Sequence, residues 1–314
     1  MKFRPLGQSG IEIAPIMLGG NVFGWNVDQA TSNRILDAFV DSGFNALDTA
    51  NSYSRWIPGH HGGESETVIG NWLKNCGRRG EIVIATKVGA DMGDGKSLRK
   101  DYILRQAEAS LKRLQIDCID LYQTHFDDEV TPTEETMGAY AQLIAQGKVR
   151  AVGASNLSPA RLKASLAASR KLGMPRYQSL QPLYNLYDRK FEREYGPICA
   201  AEKLGVITYY SLAAGFLTGK YRSAADAAKN AARGGKVRQY LDERGFAILN
   251  MLDIVAARYA ATPAQVSLAW LMAQKSVTAP IVSVTTLEQL HDILKSARLE
   301  LTAEDIAALD AASA

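Results

Sequence analysis

The run Ile82-Val83-Ile84-Ala85-Thr86-Lys87, the segment Asp101 to Leu114 and the run Ile119-Asp120-Leu121-Tyr122-Gln123-Thr124 decide the fold. The two outer runs are short and apolar, with β-branched residues in each, and read as strands; the segment between them carries Leu104, Ala107, Leu111 and Leu114 on one helical face. A strand, a returning helix and a second strand form one parallel unit. The same alternation recurs along the chain at intervals of roughly 30 to 40 residues. Strands are predicted at Ile16–Leu18, Asn45–Asp48, Ile82–Lys87, Ile119–Thr124, Ala151–Ser155, Gln178–Gln181, Val206–Tyr210 and Pro280–Ser283. A further helix is predicted over Thr133–Gln146, where Met137, Tyr140, Ala141 and Ile144 share a face. Asp101, Thr133 and Ser158-Pro159 supply helix-start chemistry.

Eight such pairs in 314 residues, with no linker-like stretch and no shift of composition, predict one (β/α)8 TIM barrel of the α/β class spanning residues 1–314. An open doubly wound sheet is the alternative. Before the first strand, Phe3–Leu6 and Ile11–Ile13 flank Gly7-Gln8-Ser9-Gly10, which predicts a β-hairpin covering the bottom of the barrel. After the seventh strand, Ser211–Val237 is rich in Gly, Ala and charge and is expected as a long loop beside the active site.

Hydrophobic residues at 46% and charged residues at 22% describe an ordinary globular chain. Lys and Arg number 36 against 33 Asp and Glu, far from the concentrated basic surface of a nucleic-acid binder. Cys76, Cys118 and Cys199 are few and widely spaced, without Cys-x-x-Cys, so they read as reduced, buried thiols and not as a disulfide framework or zinc site. No segment approaches the roughly 18 apolar residues of a membrane span, and the amino terminus lacks a secretory apolar segment. The expected location is the cytoplasm.

In a barrel of this kind the chemistry sits at the carboxyl ends of the strands. Asp48 ends the second strand, Tyr53 follows in its loop, Lys87 ends the third, and His125 closes the fourth. Each alone reads equally as a cap, a loop aromatic, a solvated terminus or a rim residue, but together they make a proton-donating device. A phenol with an ordinary pKa near 10 is a poor acid near neutrality unless a cation favours its phenolate. Lys87 supplies that cation, Asp48 holds Lys87, and His125 hydrogen-bonds a carbonyl oxygen. Other signals point nowhere. Gly95-Lys96-Ser97 lacks the correctly spaced first glycine of a phosphate loop. His60-His61 lack a third ligand, so no metal is implied. Trp25, Trp56 and the Tyr53–Gly63 segment suit either packing or the apolar wall of a pocket.

The segments Asp48-Thr49-Ala50-Asn51-Ser52-Tyr53, Ile84-Ala85-Thr86-Lys87, Asp120-Leu121-Tyr122-Gln123-Thr124-His125, Val152-Gly153-Ala154-Ser155-Asn156 and Tyr209 through Leu217-Thr218-Gly219-Lys220-Tyr221 together resemble the aldo-keto reductases, in order along nearly the whole chain. The resemblance implies a (β/α)8 fold and NAD(P)H-dependent reduction of a small-molecule carbonyl, or oxidation of the corresponding alcohol. It makes Tyr53 the general acid, Lys87 and Asp48 the pair that lowers its pKa, and His125 the substrate-orienting residue. It assigns Ser155, Asn156 and Gln181 to the nicotinamide carboxamide and Tyr209 to stacking on the ring. It lays Ser211, Leu212, Gly215, Leu217 and Lys220 along the pyrophosphate, where backbone N–H groups and a cation suit an anion.

Many members recognise the cofactor 2′-phosphate and adenine through Arg-x-x-x-Gln-x-x-x-Asn after the eighth strand; here that register reads Thr285, Gln289 and Ile293. Only Ser283, Thr285 and Thr286 hydroxyls and a helix N-terminus remain for a phosphate, so NADPH is expected to be preferred by a modest margin, with NADH usable. Two alternatives stand beside the reductase. One is a cofactor-binding regulatory subunit with little turnover, since channel-associated subunits resemble the same family; the other is a Schiff-base barrel lyase using Lys87. Substrate identity and oligomeric state are not written in these motifs.

Overall fold

The computed structural model describes residues 2–228 and 234–314. Ten strands are found among them. Strands β1 (Arg4–Pro5) and β2 (Glu12–Ile13) pair antiparallel. The remaining strands are β3 (Met17–Gly19), β4 (Ala46–Asp48), β5 (Val83–Val88), β6 (Ile119–Thr124), β7 (Val149–Ser155), β8 (Tyr177–Gln181), β9 (Gly205–Thr208) and β10 (Ala279–Val282). They close into an all-parallel barrel in chain order, with β10 pairing both β9 and β3. Each predicted strand is present, displaced by no more than two residues at either end. The open-sheet alternative is excluded by the closure.

The two-residue period of a strand explains what the barrel contains. Ala46, Val83, Ala85, Leu121, Ala151, Ile207, Ala279 and Ile281 form an apolar layer inside the lower barrel. Continuing with the same parity toward the carboxyl ends, the inward positions become Asp48, Lys87, Gln123, Ser155 and Gln181. The opposite face of the same strands, including Leu47, Ile84, Tyr122, Val152, Leu180 and Val206, packs against the surrounding helices. The barrel is thus apolar below and polar at the top.

Leu6, Ile11 and Ile13 of the hairpin join the lower apolar layer, as expected of a cover on the barrel floor. Asn45 fastens it, accepting from the Ala14 N–H at 2.9 Å and donating to Glu12 O at 3.0 Å. The hairpin turn crosses so close to β8 that Gly7 is required: its φ is +61°, and a Cβ there would lie 2.1 Å from Gln178 O.

Some boundaries differ from the sequence reading for local reasons. The strand expected over Val206–Tyr210 ends at Thr208 because Tyr210 takes φ +51°, although Tyr209 still bridges to Leu183. Asp101 does not cap its helix, which runs Lys100–Leu114; it pairs instead with Arg105 at 2.7 Å, and Glu135 accepts from the Lys100 N–H at 2.9 Å. Thr133 likewise lies inside its helix, Thr133–Ala145, behind Pro132. Ser158 does cap Pro159–Leu172, accepting from the Arg161 N–H. The long segment after β9 is not a plain loop: it carries a 3-10 stretch at Ala213–Thr218 and short helices at Ala224–Ala228 and Gly234–Val237, while residues 229–233 lie outside the described residues. Cys199 is buried as expected, but Cys76 and Cys118 are partly exposed. Among the described residues no helix is long and apolar enough to cross a membrane.

Replacing Gly7 by Ala is expected to cost about 2 kcal/mol or more, because it combines left-handed strain with a backbone collision. Urea unfolding checks this: the midpoint is expected to fall while turnover in the folded state is unchanged, the turn lying at the end of the barrel opposite the polar residues.

Candidate active site

Asp48 and Lys87 stand on neighbouring strands, 2% and 0% exposed. An ammonium group taken out of water needs all of its hydrogens met. Lys87 Nζ donates to Asp48 Oδ2 at 2.7 Å, to Thr49 O at 2.8 Å and to Tyr53 Oη at 2.8 Å. The loop after β4 is shaped to deliver the third partner: Thr49 N–H donates to Ala85 O and Asn51 N–H to Lys87 O, both on β5, and Tyr53 N–H turns back onto Ala50 O. Tyr53 Oη also donates to Asp48 Oδ2 at 3.3 Å.

His125 follows β6, its ring 6.0 Å from that of Tyr53 and stacked on Phe126 at 4.4 Å. Its Nδ1 lies 3.4 Å from Ser52 Oγ. The four residues expected to form the proton-donating device are therefore brought together at one mouth. Trp25 and Trp56 extend the row of rings, with Trp56 6.1 Å from Tyr53 and 53% exposed.

A second group joins the first from β7, β8 and β9. Ser155 Oγ donates to Gln181 O at 2.9 Å; Asn156, at φ +48°, donates to His125 O at 2.9 Å and Ser155 Oγ at 3.1 Å; and Tyr209 Oη donates to Asn156 Oδ1 at 3.0 Å. Gln181 Nε2 reaches Asp48 Oδ1 at 2.9 Å, which closes a continuous chain of hydrogen bonds from Tyr209 to Tyr53. Asn156, Gln181 and Tyr209 line a cavity of about 230 Å³. A larger cavity, about 590 Å³, is lined by Arg79, Asp120 and Arg150 at the amino-terminal ends of the strands, away from these groups.

The residues expected along a pyrophosphate are arranged less openly. Gly215 and Leu217 N–H both donate to Leu212 O, at 2.8 and 3.2 Å, and the Leu217 side chain is fully buried. Ser211 Oγ is buried and bonds Thr208. Gly215 takes φ +95°, and a Cβ there would lie 3.7 Å from Lys220 Nζ. At the far end, Ser283 Oγ bonds Asn21 Oδ1, while the Thr285 N–H and hydroxyl both donate to Gln289 Oε1, at 2.9 and 3.2 Å. Ile293 is buried, as its side chain requires. Among the described residues this cluster shares no hydrogen bond with Asp48, Tyr53, Lys87 or His125.

The sequence model of the aldo/keto reductase family matches residues 15–314. The chain belongs to this family. It is 34% identical over 314 aligned positions to the uncharacterized oxidoreductase YrpG of Bacillus subtilis, covering 97% of this chain and 93% of that protein. It is 30% identical to the aldo-keto reductase YhdN of the same organism, covering 97% and 91%. It is also 30% identical to a probable voltage-gated potassium channel subunit beta of Oryza sativa, covering 94% and 91%. Aldo/keto reductases act on small-molecule carbonyl compounds and generally use nicotinamide cofactors, which supports an oxidoreductase.

The electrostatics of this aldo/keto reductase differ in one respect from the sequence reading. Burial and the Asp48 carboxylate hold the Tyr53 phenol well above its ordinary value, opposing the pull expected from Lys87. Tyr53 is therefore a protonated donor at neutral pH. Burial lowers the Lys87 ammonium, and Asp48 and Glu66 work against that fall. Burial, then the Lys87 charge, pushes His125 well below the ordinary histidine range, so its imidazole is neutral. Sequence reading missed Gln123, whose amide lies in the same cluster; the legible signal was an amide at an inward strand position, two residues before His125.

Imidazole resonances of His125 are expected to keep the neutral form as the pH falls from 7 to about 5.5, below the ordinary value near 6.5. An unfolded chain takes up that proton near 6.5, so stability from this site is lost as the pH falls through about 6.5. Lys87→Met removes the repelling charge and is expected to move the His125 midpoint upward; a His125 that charges at its ordinary pH would contradict the burial argument.

Proposed function

We propose that the chain reduces an aldehyde or ketone with a nicotinamide cofactor, or runs the reverse oxidation. One observation carries the reading: Lys87 Nζ lies 2.7 Å from Asp48 Oδ2 and 2.8 Å from Tyr53 Oη, in a buried cluster at the carboxyl end of the barrel. The cofactor fits the donor set beside it. Ser155, Asn156 and Gln181 offer hydroxyl and amide groups to a carboxamide, Tyr209 offers an aromatic face, and Gly215 lies beside the Lys220 ammonium, a cation suited to an anion. The chemistry that a nicotinamide held by these residues would supply is a hydride for the carbonyl carbon.

The protein supplies the proton. As the carbonyl oxygen gains negative charge, Tyr53 Oη transfers its proton to it, and the phenolate left behind faces the Lys87 ammonium at hydrogen-bond distance. Asp48 keeps Lys87 in place and charged. Neutral His125 is suited to hydrogen-bond the same oxygen without competing as a proton source. The exposed Trp56 and the Phe126 ring border the approach.

The relative that is a probable potassium channel subunit beta supports a second reading, a cofactor-binding regulatory subunit with little turnover. Oxidation of NADPH in the presence of a panel of aldehydes and ketones separates the two. The Schiff-base lyase is disfavoured by the structure around Lys87, whose ammonium is fully buried with three acceptors and so is a poor free-amine nucleophile.

Tyr53→Phe is expected to lower reduction by roughly two to four powers of ten while cofactor binding persists. Lys87→Met is expected to slow reduction and raise the apparent pKa of the acid together; a slowed enzyme with an unmoved pH profile would reduce Lys87 to a spacer.

NADPH is expected to bind more tightly than NADH by less than about 100-fold, or under ~2.7 kcal/mol. Thr285 is already held by Gln289, and Arg222 is held by Asp253 at 2.7 Å and Gly219 O at 2.8 Å. Dissociation constants from fluorescence titration check this, and a much larger gap would show that a cation reaches the 2′-phosphate.

A further inference from the structure

Asp48 receives four donors. Oδ2 takes Lys87 and Tyr53, at 2.7 and 3.3 Å, while Oδ1 takes Gln181 Nε2 at 2.9 Å and Gln123 Nε2 at 3.3 Å. Gln181 Nε2 also donates to Gln123 Oε1 at 3.3 Å, so both of its hydrogens are engaged inside the barrel. Gln123 is 0% exposed, on β6 between Lys87 on β5 and Gly153 on β7. Its seat depends on a missing side chain: a Cβ on Gly153 would lie 2.4 Å from Ser179 Oγ and 3.1 Å from Gln123 Cγ.

We propose that Gln123 is a positioning residue for the reduction, its amide fixing Asp48 Oδ1 and the Gln181 amide so that Asp48 Oδ2 stays aimed at Lys87 and Tyr53. A carboxylate accepts about four hydrogen bonds, and this one is filled, so it cannot rotate without breaking one. Gln181 keeps only its Oε1 for a ligand, and it meets a carboxamide as an acceptor. Gln123 thereby links the nicotinamide-facing strand β8 to the proton donor on the loop after β4. This inference rests on the reductase reading of the site.

The charge logic fixes a direction. With one donor lost, the Asp48 charge acts more strongly on Tyr53 and disfavours its phenolate. The titratable groups facing Asp48 and Tyr53 are Lys87, His125, Tyr209 and Tyr210; Glu66 acts on Lys87 and is itself paired with Arg113.

The test compares Gln123→Met, Gln123→Glu and Gly153→Ala with the wild type in pH profiles of NADPH-dependent carbonyl reduction. Gln123→Met is expected to lower kcat about tenfold, leave the carbonyl KM within about twofold and move the alkaline limb to higher pH. Gly153→Ala is expected to reproduce that shift by displacing Gln123. Gln123→Glu donates while protonated and adds a second anion once ionised, so its activity is expected to survive at low pH and fall along a limb below that of the wild type. Wild-type kcat and pH profile in both Gln123 variants would overturn the proposal and leave the Tyr53 reading intact. Should the wild type reduce no carbonyl, the reductase reading falls separately. Exchange of the Gln181 side-chain amide, read by NMR, then decides the inference: it is expected to be slow in the wild type and fast in Gln123→Met, and unchanged exchange would overturn it.

Discussion

The ion pair between Asp48 and Lys87 is the constraint around which the upper barrel is organised. Placing a carboxylate and an ammonium out of water is costly unless every donor and acceptor is met. Here the needs of Lys87 are met by Asp48, by the Thr49 carbonyl and by Tyr53, and those of Asp48 by Lys87, Tyr53 and two buried amides. Tyr53 is thus seated by the same bonds that make the buried charges tolerable. On the proposed function, structure and reactivity share one set of contacts.

The barrel makes this arrangement possible by parity. Residues two apart on a strand point the same way, so each strand that contributes Ala46, Ala85, Leu121 or Ala151 to the apolar floor contributes Asp48, Lys87, Gln123 or Gly153 one step higher. The hairpin closes the floor from below by adding Leu6, Ile11 and Ile13 to the apolar layer at the end opposite the polar cluster. Membership of the aldo/keto reductase family and the closed barrel agree with this division between a structural base and a chemical top.

Non-glycine residues with positive φ lie in loops and at helix ends, and a group of them falls on the loops after β7 and β9. Asn156, Tyr210, Ala213 and Ala214 all take positive φ without being glycine. Asn156 holds its conformation through bonds to His125 O, Ser155 and Tyr209, which converts a strained backbone position into a fixed amide beside the cavity. The cluster of Thr285 and Gln289 is organised differently, around the start of the helix Leu287–Leu294, and its polar groups largely satisfy one another.

The repeated alternation of strands and helices, a local pattern, made a parallel α/β fold of eight units legible in the sequence and favoured a barrel, while the pairing of β10 with β3 decided its closure over an open sheet. The sequence also singled out Asp48, Tyr53, Lys87 and His125, each at a strand end or in the loop after one, as candidates, and the fold brings these four together. It did not determine that Cys76 and Cys118 are partly exposed, nor that Asp101 pairs with Arg105 and leaves the start of its helix to Glu135, because both depend on which neighbours pack alongside. Tertiary structure alone decided the electrostatics of Tyr53. A sequence shows a cation available to lower the phenol, but only the fold shows that burial and Asp48 push harder the other way. It also revealed Gln123, whose amide becomes meaningful only when β4, β6 and β8, distant in sequence, converge on one carboxylate. Hydrophobic period is a property of neighbours along the chain, whereas a hydrogen-bond set is a property of neighbours in space.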